Sequence, residues 1–177
     1  MHAMAAWPDQ IYEALRAARV TQFAYVPDSG HARAIERANA DPDVHAIALT
    51  TEEEGVALAA GAWLGGQRAV LLMQSSGVGN CVNMLSLLQC GRFPFLTLVT
   101  MRGEWGEFNP WQVPMAAATE PVLRQMGLVV HRIEHPDEVE SAVRHAAAMA
   151  YEGGSAVALL LGQRLIGAKV FVAEETK

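Results

Sequence analysis

The chain has 177 residues, 51% of them hydrophobic and 18% charged, with a net charge of -6. That length suits one domain able to bury roughly 70% of the surface its unfolded form would expose, so no disulfide or metal staple is needed. Acid excess without a basic patch excludes a nucleic-acid binder, the opening MHAMAAWPDQ lacks a leader pattern, and no apolar run nears the roughly 20 residues of a membrane helix; a cytoplasmic protein is expected.

Apolar runs alternate with helix-length amphipathic segments throughout, the pattern of a parallel sheet covered by helices on both faces. In chain order the expected elements begin with a helix over Pro8–Ala18, a strand over Gln22–Val26, a helix over His31–Asn39 and a strand over Ala46–Leu49. A helix over Glu52–Leu64, a strand over Ala69–Met73, a helix over Asn80–Gln89 and a strand over Phe95–Thr100 follow. A helix over Met115–Met126, a strand over Val129–Ile133, a helix over Pro136–Glu152 and a strand over Ala156–Leu161 complete the set. The fold class is α/β, a single domain over 1–177 with an open parallel sheet of about six strands. No linker, charge block or internal repeat divides it.

In the helix from Glu52, Thr51 and Glu54 have capping-box spacing, and Glu52, Glu53 and Glu54 fill the first turn near the positive end of the dipole. Val56, Ala59, Ala60 and Trp63 recur at i, i+3, i+4 and i+7, a stripe that packs on a sheet. Cys81 and Cys90 have neither metal nor disulfide spacing and read as buried thiols. The six histidines, at 2, 31, 45, 131, 135 and 145, show no metal-binding motif and read as surface or capping residues.

Ligands of open α/β sheets collect beyond the carboxyl ends of the strands, and four loops stand out there. They are Pro27 to Gly30, Thr50 to Glu52, the glycine-rich turn Gln74 to Asn80, and the Trp-bearing segment Met101 to Pro114. Asp28 and Ser29 suit either a ligand or ordinary turn chemistry. The glycines after Ser75 let backbone amides approach a ligand, although no Gly-Lys-Ser/Thr, G-x-G-x-x-G or G-x-S-x-G pattern is present. Arg102 offers a guanidinium fork that fits an oxyanion, or equally a loop-anchoring ion pair with Glu104 or Glu107.

The run from Glu52 to Gly61, the next strand and Gln74-Ser75-Ser76-Gly77-Val78-Gly79-Asn80 resemble the pyrimidine-binding (PYR) domain of thiamine diphosphate enzymes, in particular phosphonopyruvate and sulfopyruvate decarboxylases. Val26-Pro27-Asp28-Ser29 and Arg102-Gly103 extend the likeness over nearly the whole chain. The family's glutamate stands nine residues before the glycine of an Ala-Ala-Gly or Ala-Asp-Gly triplet, and 61 - 9 is 52. The resemblance therefore implies that Glu52 is catalytic and binds the cofactor, thiamine diphosphate. A buried carboxyl group is easily protonated and can then donate to the pyrimidine ring. The likeness further implies cofactor contacts from Ser75, Ser76, Gly77 and Asn80, and substrate contacts from Asp28, Ser29, Arg102 and Gln112.

No Gly-Asp-Gly, the start of the family's magnesium and diphosphate half-site, occurs in the sequence. The resemblance thus implies no metal ligand on this chain, with Mg2+ held by a PP-domain β subunit, and oligomerisation through paired PYR domains. The implied reaction releases carbon dioxide and an aldehyde from a 2-oxo acid. An acetolactate synthase-like carboligase subunit and a non-catalytic α/β binding or regulatory module remain as alternatives.

Overall fold

A computed structural model describes residues 6–168. The two ends of the domain assigned to 1–177, and His2, lie outside the described residues. The elements run α1 (Trp7–Ala17), β1 (Val20–Tyr25), α2 (Ala32–Ala40), β2 (His45–Ala48), α3 (Glu52–Leu64), β3 (Arg68–Gln74), α4 (Ser75–Cys81) and α5 (Ser86–Gly91). They continue with β4 (Phe95–Thr100), α6 (Gln112–Gln125), β5 (Val129–Ile133), α7 (Val139–Tyr151), β6 (Ala156–Leu161) and α8 (Gln163–Ile166).

The six strands form one parallel sheet in the order β2-β1-β3-β4-β6-β5. Strand alternation divides the core between its faces. Phe23, Val70, Leu72, Leu96, Leu98, Val157 and Leu159 pack beneath α1, α2 and α7, while Ala24, Leu71, Met73, Val99, Ala158 and Leu160 pack beneath α3 to α6. The chain leaves β1 toward β2 on one side and returns to β3 on the other, so the ends of β1 and β3 diverge at a switch point, where open sheets of this kind form a crevice.

Strands β4, β5 and β6 and helix α3 have the expected bounds, and most other boundaries lie within a residue or two of expectation. The helix expected over Asn80–Gln89 is instead two helices. Leu85 still bonds to Cys81, but the amides of Ser86, Leu87 and Leu88 reach back three residues rather than four, to Asn83, Met84 and Leu85, which tightens the coil between α4 and α5. Helix α6 starts three residues before the expected Met115, at Gln112, and carries Pro114 in its first turn, where a missing amide costs nothing.

The expected capping box at α3 does not form: Thr51 makes no side-chain cap bond, and Glu54 accepts not from the Thr51 amide but from that of Thr50, one residue before the cap, at 2.9 Å. Val56, Ala59 and Ala60 of the expected stripe are buried, but Trp63, near the end of the helix, is exposed. Cys81 is buried, as expected, and burial pushes its thiol up to about 12, whereas Cys90 lies exposed on α5.

Candidate active site

Strands β1, β3 and β4 deliver their carboxyl ends side by side, and the loops beyond them converge on α3 and α4. Glu52, in the first turn of α3, is only 8% exposed although its side chain is polar and lies at the sheet edge. Its Oε2 accepts a 2.7 Å hydrogen bond from Asn80 Nδ2 of α4. Its side chain lies directly over Gly77, where a methyl group would overlap Glu52 Oε1, Cδ and Cγ. The absence of a Cβ on Gly77 is what lets the carboxyl group lie against α4.

The glycine-rich segment expected as a turn before a helix is the helix itself, since α4 begins at Ser75. Glycine opposes helix formation, and burial of Val78 and Cys81 in the core under α4 overrides that preference. Gly77 serves close packing, since it faces the Glu52 side chain. Ser75 is fully buried, its Oγ accepting the Arg102 amide at 3.1 Å and its carbonyl accepting Thr119 Oγ1 at 3.4 Å, so it fastens α4 to its neighbours instead of reaching a ligand. Ser76 is exposed, with its Oγ donating to Gln74 Oε1 at 3.1 Å. It borders a cleft of about 720 Å³ lined by Pro110, Trp111, Gln112, Pro114 and Met115. Gln112 Oε1 is buried with no hydrogen-bond partner among the described residues.

At the end of β1, Asp28 is tied inward. Its Oδ2 accepts from Thr100 Oγ1 at 2.6 Å and from the Gly30 amide at 3.1 Å, and its Oδ1 accepts from Gln74 Nε2 at 2.9 Å. Burial alone would raise this carboxyl group, but the Thr100 bond, neighbouring His31, the Gln74 bond and the Gly30 amide outweigh it and hold it low. Ser29, beside it, is exposed.

His31 corrects the surface reading of the histidines. It is buried, with Nε2 placed 3.3 Å from the Met73 carbonyl and 3.1 Å from that of Leu98, so that it clasps β3 to β4. Burial pushes His31 toward its neutral form against the pull of Asp28, so the hydrogen bonds do most of the work of holding Asp28 ionised.

Arg102 is also corrected. Its Nε and Nη2 each lie 2.6 Å from the oxygens of Glu107, and the two side chains are only 8% and 3% exposed. The fork offered to an oxyanion is therefore closed on Glu107, while Glu104 pairs instead with Arg132. Glu107 also accepts from the amides of Gly103 and Asn109 and from Gln163 Nε2, and the Arg102 bond is the main cause that holds its carboxyl group down to about 2. The structure thus brings Glu52, Gly77 and Asn80 together, sets Ser76 and Gln112 at an adjoining cleft, and turns Ser75 and Arg102 inward. Thr100, Glu107 and Gln163 complete these networks. Only Glu107 had a sequence signal, as an ion-pair alternative for Arg102.

No model of a known protein family matches the chain. The fold is shared with domains of solved thiamine diphosphate-dependent enzymes. A Mycobacterium smegmatis protein assigned as a thiamin diphosphate-dependent enzyme superposes with a TM-score of 0.72 at 19% identity, over 94% of this chain and 32% of its own, so this chain spans about a third of that structure. The sulfopyruvate decarboxylase subunit alpha of Methanothermobacter thermautotrophicus is 34% identical over 154 residues, which are 86% of this chain and 93% of that one. The chain belongs to the family of sulfopyruvate decarboxylase alpha subunits. Phosphonopyruvate decarboxylase of Streptomyces viridochromogenes is 44% identical over 89 residues, 50% of this chain and 22% of that protein.

Proposed function

We propose that this chain is the pyrimidine-side subunit of a thiamine diphosphate-dependent carboxy-lyase, which releases carbon dioxide and an aldehyde from a short 2-oxo acid with an anionic tail, of the sulfopyruvate or phosphonopyruvate type. One observation carries the reading: Glu52 is withdrawn from water, seated over Gly77 and held by Asn80 at the sheet's carboxyl edge. That setting fits the cofactor's aminopyrimidine half. When bound, the cofactor supplies the sink for the electron pair left by departing carbon dioxide. Glu52 holds the proton shared with the pyrimidine ring. Asn80 fixes Oε2, leaving Oε1 as the atom that exchanges it, and Gly77 supplies the space in which the carboxyl group lies.

Ser76 and Gln112 are assigned to the cleft side of the cofactor and substrate, and Ser29 with Asp28 to the substrate side at the end of β1. Ser75 and Arg102 leave the set of contacting residues, because their polar groups are engaged within the chain. Magnesium and the diphosphate are assigned to a PP-domain β subunit, in keeping with a sequence that has no Gly-Asp-Gly. Pairing of two such domains around shared sites would give a symmetric oligomer. The free thiols of Cys81 and Cys90 suit a reducing cytoplasm.

The test is Glu52→Gln in the complex assembled with the β subunit. Turnover is expected to fall about 10³-fold, within the range of lost general acid-base catalysis, with assembly unchanged. Near-normal carbon dioxide release would overturn the reading.

A further inference from the structure

The loop after β4 is fastened from within. Glu107 gathers five donors: two from the Arg102 fork, the amides of Gly103 and Asn109, and Gln163 Nε2. Gln163 Oε1 in turn accepts the amides of Glu104 and Trp105 at 2.8 and 2.9 Å, which ties the loop to the start of α8 beyond β6. From this anchor Arg102 reaches the opposite way, its backbone amide donating to Ser75 Oγ. Ser75 is the first residue of α4, Gly77 two residues on lies beneath the Glu52 carboxyl group, and Asn80 donates to it. Every link in this chain is a hydrogen bond, a covalent step or a direct packing contact, and close-packed interiors transmit displacement rather than absorb it.

The geometry points to Arg102 and Glu107 as positioning residues for Glu52: their buried ion pair sets the place of α4 through Ser75, and α4 sets the place of the carboxyl group. The inference rests on Glu52 as the acid of the proposed reaction. It replaces the direct anion contact expected of Arg102, whose fork is already closed by a carboxylate of matching geometry.

A double-mutant cycle in the assembled complex tests this, using wild type, Glu107→Gln, Glu52→Gln and the double variant. Glu107→Gln should lower kcat about 100-fold, the scale of a misplaced catalytic group, with KM for the 2-oxo acid nearly unchanged. On a Glu52→Gln background it should lower kcat no further, because its effect passes through that side chain. Calorimetric affinity for thiamine diphosphate should follow the same pattern, each single variant weakening it and the double variant weakening it no more than Glu52→Gln. Multiplicative losses in an inactive Glu52→Gln background would overturn the positioning role alone. A raised KM with kcat unchanged would return Arg102 to the substrate. An active Glu52→Gln enzyme would sink the Glu52 reading and this inference with it. Should Glu107→Gln fail to fold, Arg102→Lys keeps the buried charge, removes one arm of the fork and carries the same cycle.

Discussion

At the α3–α4 corner Glu52 accepts one hydrogen bond among the described residues, from Asn80, whereas in the loop after β4 Glu107 accepts five. Both carboxylates are withdrawn from water at the same sheet edge. A carboxylate offers about four acceptor positions, so Glu107 is saturated and acts as a pin, while Glu52 keeps capacity for a ligand. The comparison separates burial from function. Burial alone marks both residues, but only the one left partly unsatisfied in a cradle that a single methyl group would fill has a geometry meant for a visitor.

The sharpest way to break that comparison is to fill the cradle. Gly77→Ala puts a methyl group where the Glu52 carboxyl lies, and the obstructing atoms, Cγ as well as the carboxyl group, all belong to the Glu52 side chain rather than to backbone, so that side chain must leave its seat. The helix gains an alanine, so the fold should hold. Turnover of the assembled complex should nonetheless fall about 100-fold, as expected for a displaced reacting group. An unchanged circular dichroism spectrum beside that loss would separate site from scaffold; wild-type turnover would mean that the position of Glu52 does not matter.

Glu107, beyond its effect on turnover, should respond through stability. Its folded value of about 2 lies below the ordinary 4.5, so its contribution is fully present above pH 4.5 and is lost as pH falls toward 2. Removing one partner of a buried pair strands the other, and Glu107→Gln should cost about 3 kcal/mol near neutrality in urea unfolding of the chain. The gap between wild type and variant should narrow as pH drops below about 4.5. A gap constant with pH would show that the pair does not titrate with folding.

How much of this was legible in the sequence depends on whether the signal was local. Strands β4 and β6 were readable because their apolar runs are short and bounded by turn residues, β5 because Val129, Val130 and Ile133 stand between Gly127 and Pro136, and α3 because its start and length agree with its periodicity. The resemblance, whose glutamate stands nine residues before the position of Gly61, singled out one acid of three, and of those three only Glu52 is buried. The glycines from Ser75 onward read as a turn because helix propensity is local, while the packing that bends them into α4 is not. Arg102 was ambiguous for the same reason. Its partner is five residues away, but the groups that complete the pin come from Gln163, 56 residues beyond Glu107, and from Ser75, 27 residues before Arg102. His31 was overlooked because a search for metal spacing cannot see two strand carbonyls 42 and 67 residues away.

The smallest expected effect divides the credit within the corner itself. Asn80 is exposed and touches Glu52 through one hydrogen bond, whereas Gly77 shapes the space in which the whole carboxyl group rests. Asn80→Ala removes the donor but leaves the cradle, so Glu52 keeps its place and loses only a restraint on Oε2. Turnover should fall about tenfold, the equivalent of roughly 1.4 kcal/mol and within the worth of one ordinary hydrogen bond. A loss as deep as that of Gly77→Ala would show that the hydrogen bond, not the cradle, decides where the carboxyl group points. The distinction between a pinned acid and a poised one would then rest on Asn80 alone.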